Sequence, residues 1–129
     1  FGAQLHGHES TRHVSDVMKE IHWVIKAVAA GSVEARTADE FQTNLILVDS
    51  PNPGSGVEFD RSLLSEIPSG LRILLAGGLT PENVGDAIAQ VEPWGVDVSS
   101  GVEKSHGYKD PIKLKNFIEA SRSAAEGYI

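Results

Sequence analysis

The sequence contains no cysteine. This absence excludes disulfide bonds, thiolate metal sites and cysteine nucleophiles or bases. There is no run of basic residues either, and the formal net charge is −7, which argues against a surface for nucleic acid or anionic membranes. No apolar stretch is long enough to cross a bilayer, and no signal segment is recognisable. We therefore expect a cytoplasmic protein whose partner is a small molecule, with no nucleic acid and no membrane bound.

The 129 residues include 40% hydrophobic residues, enough for one folded unit with a core, so residues 1–129 are expected to form part of a single domain. Short β-favouring runs alternate with helical segments along the chain. Strands are predicted at residues 1–6, 23–28, 44–48, 71–76 and 96–98. Helices are predicted to begin after Ser10, Ser32, Asp60, Thr80 and Asp110, the last with an apolar face of Ile112, Phe117, Ile118 and Ala124.

Such alternation is typical of a parallel α/β sheet, which is either open or closed into a barrel. Five strand-helix units do not close an eight-stranded barrel, which normally needs roughly 200 residues or more. A barrel therefore implies that about three further units lie upstream of this chain.

Two strand ends are rich in small residues. The first, at residues 73–81, contains Gly77 and Gly78, and the second, at residues 95–103, contains Ser99, Ser100 and Gly101. Glycine lets a backbone N–H approach an oxyanion closely, and serine hydroxyls add donors. Two such strand-to-helix turns in succession favour a phosphate site over the alternative, in which the glycines only relieve tight turns.

Two carboxylates stand at the ends of predicted strands. Asp49 closes an apolar run, where desolvation favours the neutral form that a general acid needs; the alternative is that it caps the following turn. Asp97 is a candidate to orient the serines or a substrate hydroxyl. For this residue the alternative is a buried carboxylate that is hydrogen-bonded to neighbouring backbone.

Basic side chains offer two further candidates. His6 ends the first strand, and a hydrogen-bond donor to substrate is favoured over a metal ligand shared with His8, because no third ligand stands at a supporting spacing. Lys26 lies within the second strand, where an ion-pair partner facing a barrel interior is favoured over a Schiff-base amine. No metal is expected.

Several motifs, in this order and spacing, resemble those of phosphoribosylanthranilate isomerases over essentially the whole chain. They are residues 4–7 (QLHG), 24–28 (VIKAV), 47–50 (LVDS), 75–84 (LAGGLTPENV) and 96–103 (VDVSSGVE). The resemblance implies a (β/α)8 TIM barrel of which this chain is strands four to eight. It also implies the Amadori rearrangement of tryptophan biosynthesis, without a cofactor.

The resemblance assigns roles to single residues. Asp49 falls on the general acid that protonates the furanose ring oxygen, and His6 and Asp97 match positions that line the active site. The backbone at Gly77, Gly78, Ser100 and Gly101 matches the clamp around the phosphate group of the substrate.

This chain also departs from the family pattern. The family's general base is a cysteine at the end of the first barrel strand, and an arginine after the second strand would hold the anthranilate carboxylate; both would lie upstream. The loop at residues 54–56 is a variant of the usual Gly-Gly-Thr-Gly. We therefore expect no activity from this chain alone.

Two other interpretations stay open. One is a non-catalytic, phosphate-binding half-barrel that self-associates through its open sheet edges. The other is a different phosphosugar barrel enzyme, which the QLHG and LVDS stretches disfavour.

Overall fold

Five parallel strands form one sheet in the order of the chain. The computed structural model describes residues 1–52 and 57–127. Since neighbouring parallel strands must be joined by a crossover, each strand with the helical segment after it is one βα unit. The predicted α/β fold of about five parallel units is confirmed. The strands are β1 (Gly2–Leu5), β2 (Trp23–Ala29), β3 (Leu45–Asp49), β4 (Ile73–Leu75) and β5 (Gly95–Val96).

The helical elements begin largely where the capping residues predict. Ser10 accepts a hydrogen bond from the His13 N–H, and Ser32, Asp60 and Asp110 each accept an equivalent bond. The segment after Asp60 is a 3-10 helix. The α-helices are α1 (Thr11–Glu20), α2 (Val33–Arg36), α3 (Val84–Val91) and α4 (Pro111–Ala125), and 3-10 turns occupy Ala38–Phe41, Arg61–Glu66 and Ser100–Val102.

Several predicted boundaries differ from the structure by one or more residues, and two of these differences lie at the glycine turns. Helix α3 begins at Val84 rather than directly after Thr80, because Thr80 and Asn83 first close a turn. The Asn83 Oδ1 accepts from the Thr80 N–H at 2.8 Å, and the Thr80 Oγ1 accepts from the Asn83 N–H at 3.3 Å. The fifth strand ends at Val96, so Val98 lies beyond it.

An antiparallel hairpin, absent from the predicted elements, stands between the second glycine turn and α4. It consists of β6 (Glu103–Ser105) and β7 (Tyr108–Lys109). Gly107 has a φ of +80°, which suits glycine at the hairpin tip. The second glycine turn therefore contains the 3-10 turn Ser100–Val102 and is followed by this hairpin, and only then by α4.

The core lies between the sheet and the helices. Parallel register partners share a face of the sheet, so the faces can be assigned from the pairing. Val24, Val28, Ile46 and Val48 are buried on the outer face, against the helical layer. On the inner face Ala29 is paired with Asp49, which directs the Asp49 side chain away from the core.

Both edges of the sheet are unpaired within the described part of the chain, since β1 contacts only β2 and β5 contacts only β4. The apolar face expected for α4 is only partly confirmed: Phe117 is 5% exposed, but Ile112 is 71% and Ile118 is 41% exposed. Self-association through the open edges stays a prediction. None of the helices in residues 1–52 and 57–127 has the length and apolarity that a membrane crossing requires.

Lys26 lies on the outer face of the sheet, because its register partners are Leu5 and Ile46. The expectation that it faces a barrel interior is wrong, because the alternation of side chains along β2 places it beside Val24 and Val28. The expected ion pair is confirmed, with Nζ 3.2 Å from the Glu9 Oε1.

The ammonium group of Lys26 is fully engaged. Its Nζ also donates to the carbonyl oxygens of Gly7 and Ala27, both at 2.9 Å, and lies 5.4 Å from the centre of the Phe41 ring. With three donors used, this 1% exposed side chain ties the loop after β1 to the sheet.

We expect Lys26→Met to destabilise the fold by about 3 kcal/mol, because it leaves Glu9 and two carbonyl oxygens without their cation. Burial raises the pKa of Glu9, but the hydrogen bond and charge of Lys26 outweigh it and hold that pKa below its ordinary 4.5. This stabilisation is therefore present above about pH 4.5 and lost as the pH falls through the lowered value.

Urea unfolding of both proteins across pH 3 to 7 measures the effect. The difference between wild type and Lys26→Met should shrink on acidification. Lys19→Met, which removes an exposed pair with Asp16, is the matched control and should cost about 0.5 kcal/mol or less. A Lys26→Met variant as stable as this control would contradict the structural role.

Candidate active site

Two cavities adjoin at the carboxyl ends of the strands. The larger has a volume of about 260 Å³ and is lined by residues that include Gln4, His6, Ala29, Leu47, Asp49 and Asp97. The smaller, of about 80 Å³, is lined by residues that include Gly77, Gly78, Leu79, Ser99, Ser100 and Gly101. Asp49 and Asp97 line both cavities. The structure thus brings all the predicted site residues to one end of the sheet.

Asp49 is the last residue of β3 and points to the inner face. Its Oδ1 accepts a hydrogen bond from the Ser50 N–H at 2.7 Å. The carboxylate therefore caps the turn that follows and faces the cavities at the same time, so the two interpretations of this residue are compatible. Its role as the acid stays a prediction.

Asp97 directly follows β5, and its N–H donates to the Leu75 carbonyl at 2.8 Å. It is exposed at the open edge of the sheet, so the alternative of a buried carboxylate is wrong. The protein atoms around its carboxyl group desolvate it and raise its pKa; the negative charge of Asp49 raises the pKa further, and the positive charge of Lys109 opposes this shift.

His6 follows β1 and lines the larger cavity together with Asp49. It is exposed, because β1 is an edge strand. His8, which is also exposed, lies with its Nδ1 3.5 Å from the Glu34 Oε1. In the part of the chain that the structure describes, no three His, Asp or Glu side chains are grouped so that they could hold a metal ion.

The glycines of the two turns are required by close packing. Gly77 and Gly78 have φ values of +92° and +67°. A Cβ on Gly77 would lie 2.8 Å from the Ser50 nitrogen, and one on Gly78 would collide with the backbone of Glu58. A Cβ on Gly101 would collide with the Leu79 carbonyl, so the two turns contact each other directly.

This packing explains why glycine stands at these positions even if no ligand binds there. It therefore agrees with the alternative interpretation, in which the glycines only relieve tight turns. Since glycine has no side chain, the three glycines line the smaller cavity with backbone atoms. A volume of about 80 Å³ suits a group of few atoms. Phosphate binding by these turns stays a prediction.

Two residues of this region were not identified as candidates from the sequence. Asn83 Nδ2 donates to the Gly78 carbonyl at 2.9 Å, and Lys109 Nζ donates to the Ser99 carbonyl at 2.8 Å. A polar residue three positions after Thr80 was a usable signal for Asn83, since this is the spacing of a capping box. Lys109 reaches Ser99 only through the hairpin, which the sequence did not indicate. The variant loop at residues 54–56 lies outside the described residues.

Comparison with known proteins identifies the family. The family model described as N-(5'-phosphoribosyl)anthranilate (PRA) isomerase matches residues 3–120. The chain belongs to this family. Among similar curated proteins, the N-(5'-phosphoribosyl)anthranilate isomerase of Syntrophomonas wolfei is 43% identical over 127 residues, a match that covers 95% of this chain and 61% of that protein. The corresponding protein of Roseiflexus castenholzii is 44% identical over 132 residues, covering 96% of this chain and 60% of that one.

Solved structures agree with the assignment to the phosphoribosylanthranilate isomerase family. The enzyme from Thermus thermophilus superposes with a TM-score of 0.82 at 32% identity, covering 94% of this chain and 60% of its own. A structure titled 3-hexulose-6-phosphate synthase from Salmonella typhimurium, at 17% identity and a TM-score of 0.70, shows the fold alone. The chain spans about three fifths of the length of these relatives, and its α/β barrel-type fold is confirmed.

The charge coupling between the two carboxylates can be tested directly. We expect Asp49→Asn to lower the pKa of Asp97, because it removes the like charge that helps to raise it. Carbon-detected NMR titration of the Asp97 carboxyl group measures the shift. Asp39→Asn, an exposed substitution outside the cavities, should leave the pKa of Asp97 unchanged. An equal Asp97 pKa in wild type and Asp49→Asn would contradict the proximity of the two groups.

We expect Gly78→Ala to destabilise the protein more than Gly70→Ala does. Both glycines have a positive φ, and the strain of placing alanine there costs about 1 kcal/mol. Only Gly78 also meets backbone, because nothing lies within 4 Å of a Cβ on Gly70. Thermal and urea unfolding of both variants give the comparison. Equal losses would show that residues 57 and 58 do not pack on this turn.

Proposed function

We propose that residues 1–129 are a portion of one phosphoribosylanthranilate isomerase barrel domain and carry its acid and its phosphate site. The reaction converts N-(5'-phosphoribosyl)anthranilate into 1-(2-carboxyphenylamino)-1-deoxyribulose 5-phosphate, in the cytoplasmic biosynthesis of tryptophan. The observation that carries the proposal is the position of Asp49, which lines both cavities at the point where they meet. A relative has been solved in complex with reduced 1-(o-carboxyphenylamino)-1-deoxyribulose 5-phosphate, which supports a phosphorylated substrate.

In this proposal the phosphate group of the substrate occupies the smaller cavity. It is held by the backbone of Gly77, Gly78 and Gly101 and by the hydroxyls of Ser99 and Ser100. The neutral character of these donors fits a chain with a net charge of −7, since backbone N–H groups bind an oxyanion without a cationic side chain.

The ribose ring then extends towards the larger cavity, past Asp49. Asp49 donates a proton to the ring oxygen, and the bond between that oxygen and C1 breaks as the nitrogen lone pair forms a C=N bond. Loss of the proton from C2 gives an enamine, which tautomerises to the ketone. His6 and Asp97 flank this path as hydrogen-bonding partners of the substrate.

The C2 proton needs a base that these residues do not supply. By resemblance the base of the family is a cysteine, and this chain has none. We therefore propose that the 129 residues alone do not turn over substrate and act together with the segment that corresponds to the remaining two fifths of the relatives. No cofactor takes part in the proposed steps.

A second candidate function is that of a phosphate-binding half-barrel that associates through its sheet edges. It is favoured by the unpaired β1 and β5 and by exposed apolar side chains such as Ile112. A different phosphosugar enzyme has less support, because the likeness to the hexulose phosphate synthase is one of fold.

The acid role is tested by joining this chain to the amino-terminal two fifths of the Thermus thermophilus relative and assaying isomerisation. Asp49→Asn should lower kcat about 100- to 10,000-fold, because general acid catalysis of ring opening is lost. Asp39→Asn is the control and should retain full activity. Near-normal turnover by Asp49→Asn would remove Asp49 from the acid role, and turnover by the 129 residues alone would contradict the proposed inactivity.

A further inference from the structure

We infer that Asn83 and Lys109 are positioning residues for the phosphate group of the substrate. Each holds one backbone carbonyl, in one of the two glycine turns, so that the N–H of the same peptide unit points into the smaller cavity. The inference rests on the proposed function and adds two side chains that do not themselves touch the ligand.

Asn83 fixes the first of these peptide units. Its Nδ2 donates to the Gly78 carbonyl at 2.9 Å, while its Oδ1 accepts from the Thr80 N–H at 2.8 Å. The side-chain amide can satisfy both partners in only one orientation, because a carbonyl only accepts and an N–H only donates. The peptide bond is planar and trans, so the Leu79 N–H points opposite to the Gly78 carbonyl, away from Asn83.

Lys109 fixes the second peptide unit in the same way. Its Nζ lies 2.8 Å from the Ser99 carbonyl oxygen and 3.4 Å from the Ser99 Oγ. The Ser100 N–H therefore points away from Lys109. The hairpin makes this possible, because the pairing of Lys109 with Glu103 returns the chain over the turn.

The two N–H groups are available for a ligand. Within residues 1–52 and 57–127, neither the Leu79 nor the Ser100 N–H donates a hydrogen bond. Leu79 and Ser100 both line the smaller cavity, and the close packing of Gly101 on the Leu79 carbonyl holds the two turns together. Two fixed donors without acceptors suit one tetrahedral oxyanion, such as the phosphate group of a sugar phosphate.

Titration of the 129-residue chain with inorganic phosphate, followed by ¹⁵N-¹H NMR, tests the inference. In the wild type, the Leu79 and Ser100 amide signals should move most. Asn83→Ala should displace the Leu79 signal before phosphate is added and weaken phosphate binding about tenfold. Lys109→Met should do the same at Ser100.

Matched controls separate positioning from general effects. Asn44→Ala removes a side-chain acceptor of the Val24 N–H at the other end of the sheet, and Lys115→Met removes an exposed lysine of α4 that pairs with Glu119. Both variants should bind phosphate within about twofold of wild type, because neither substitution removes a contact to the glycine turns. If Asn83→Ala does not fold, Asn83→Asp keeps the acceptor for Thr80 and replaces the donor to Gly78 with a carboxylate oxygen, which repels the Gly78 carbonyl and should also displace the Leu79 signal.

Each outcome decides between named possibilities. Failure of the wild type to bind phosphate contradicts the proposed function. Binding by the wild type that is equally strong in the Asn83 and Lys109 variants overturns this inference alone. If Lys109→Met weakens binding but leaves the Ser100 signal of the free protein unmoved, the lysine acts by its charge, and the positioning role of Lys109 is overturned.

Discussion

The site depends on the pairing of β3 with a strand on each side. The Ala30 N–H donates to the Asp49 carbonyl and the Ala76 N–H to the Val48 carbonyl, both at 2.9 Å. These bonds join the end of β3 to the residue that follows β2 on one side and to the residue that follows β4 on the other. Because parallel strands end at the same edge of the sheet, the pairing also gathers the loops that carry His6, Asp97 and the glycine turns. Without it, Asp49 would have no fixed position relative to the two cavities.

Local chemistry allowed much of this arrangement to be predicted. The strand runs, the capping residues Ser10, Ser32 and Asp110, and the position of Asp49 after an apolar strand each depend on a few neighbouring residues. The same is true of the first glycine turn, because Gly77 and Gly78 have positive φ values that glycine adopts readily. Such features need no knowledge of what lies across the fold.

The features that were missed depend on distant contacts. The face on which Lys26 lies is set by register, and a slip of one residue would reverse it. The hairpin is held by a bond from the Asp110 N–H to the Val102 carbonyl at 2.7 Å, and by Lys113 at Glu103. The exposure of Ile112 and Ile118 depends on which surfaces are available to pack against α4, and the pattern of the helix does not contain that information.

The direct contact between the two glycine turns has a consequence for how this region can change. Because Gly101 rests on the carbonyl of Leu79, a larger residue at 101 must displace the other turn as well as its own. Sequence drift in one turn is therefore constrained by the other, although 22 positions separate Leu79 from Gly101. A redesign that enlarges the smaller cavity would therefore have to substitute both segments together.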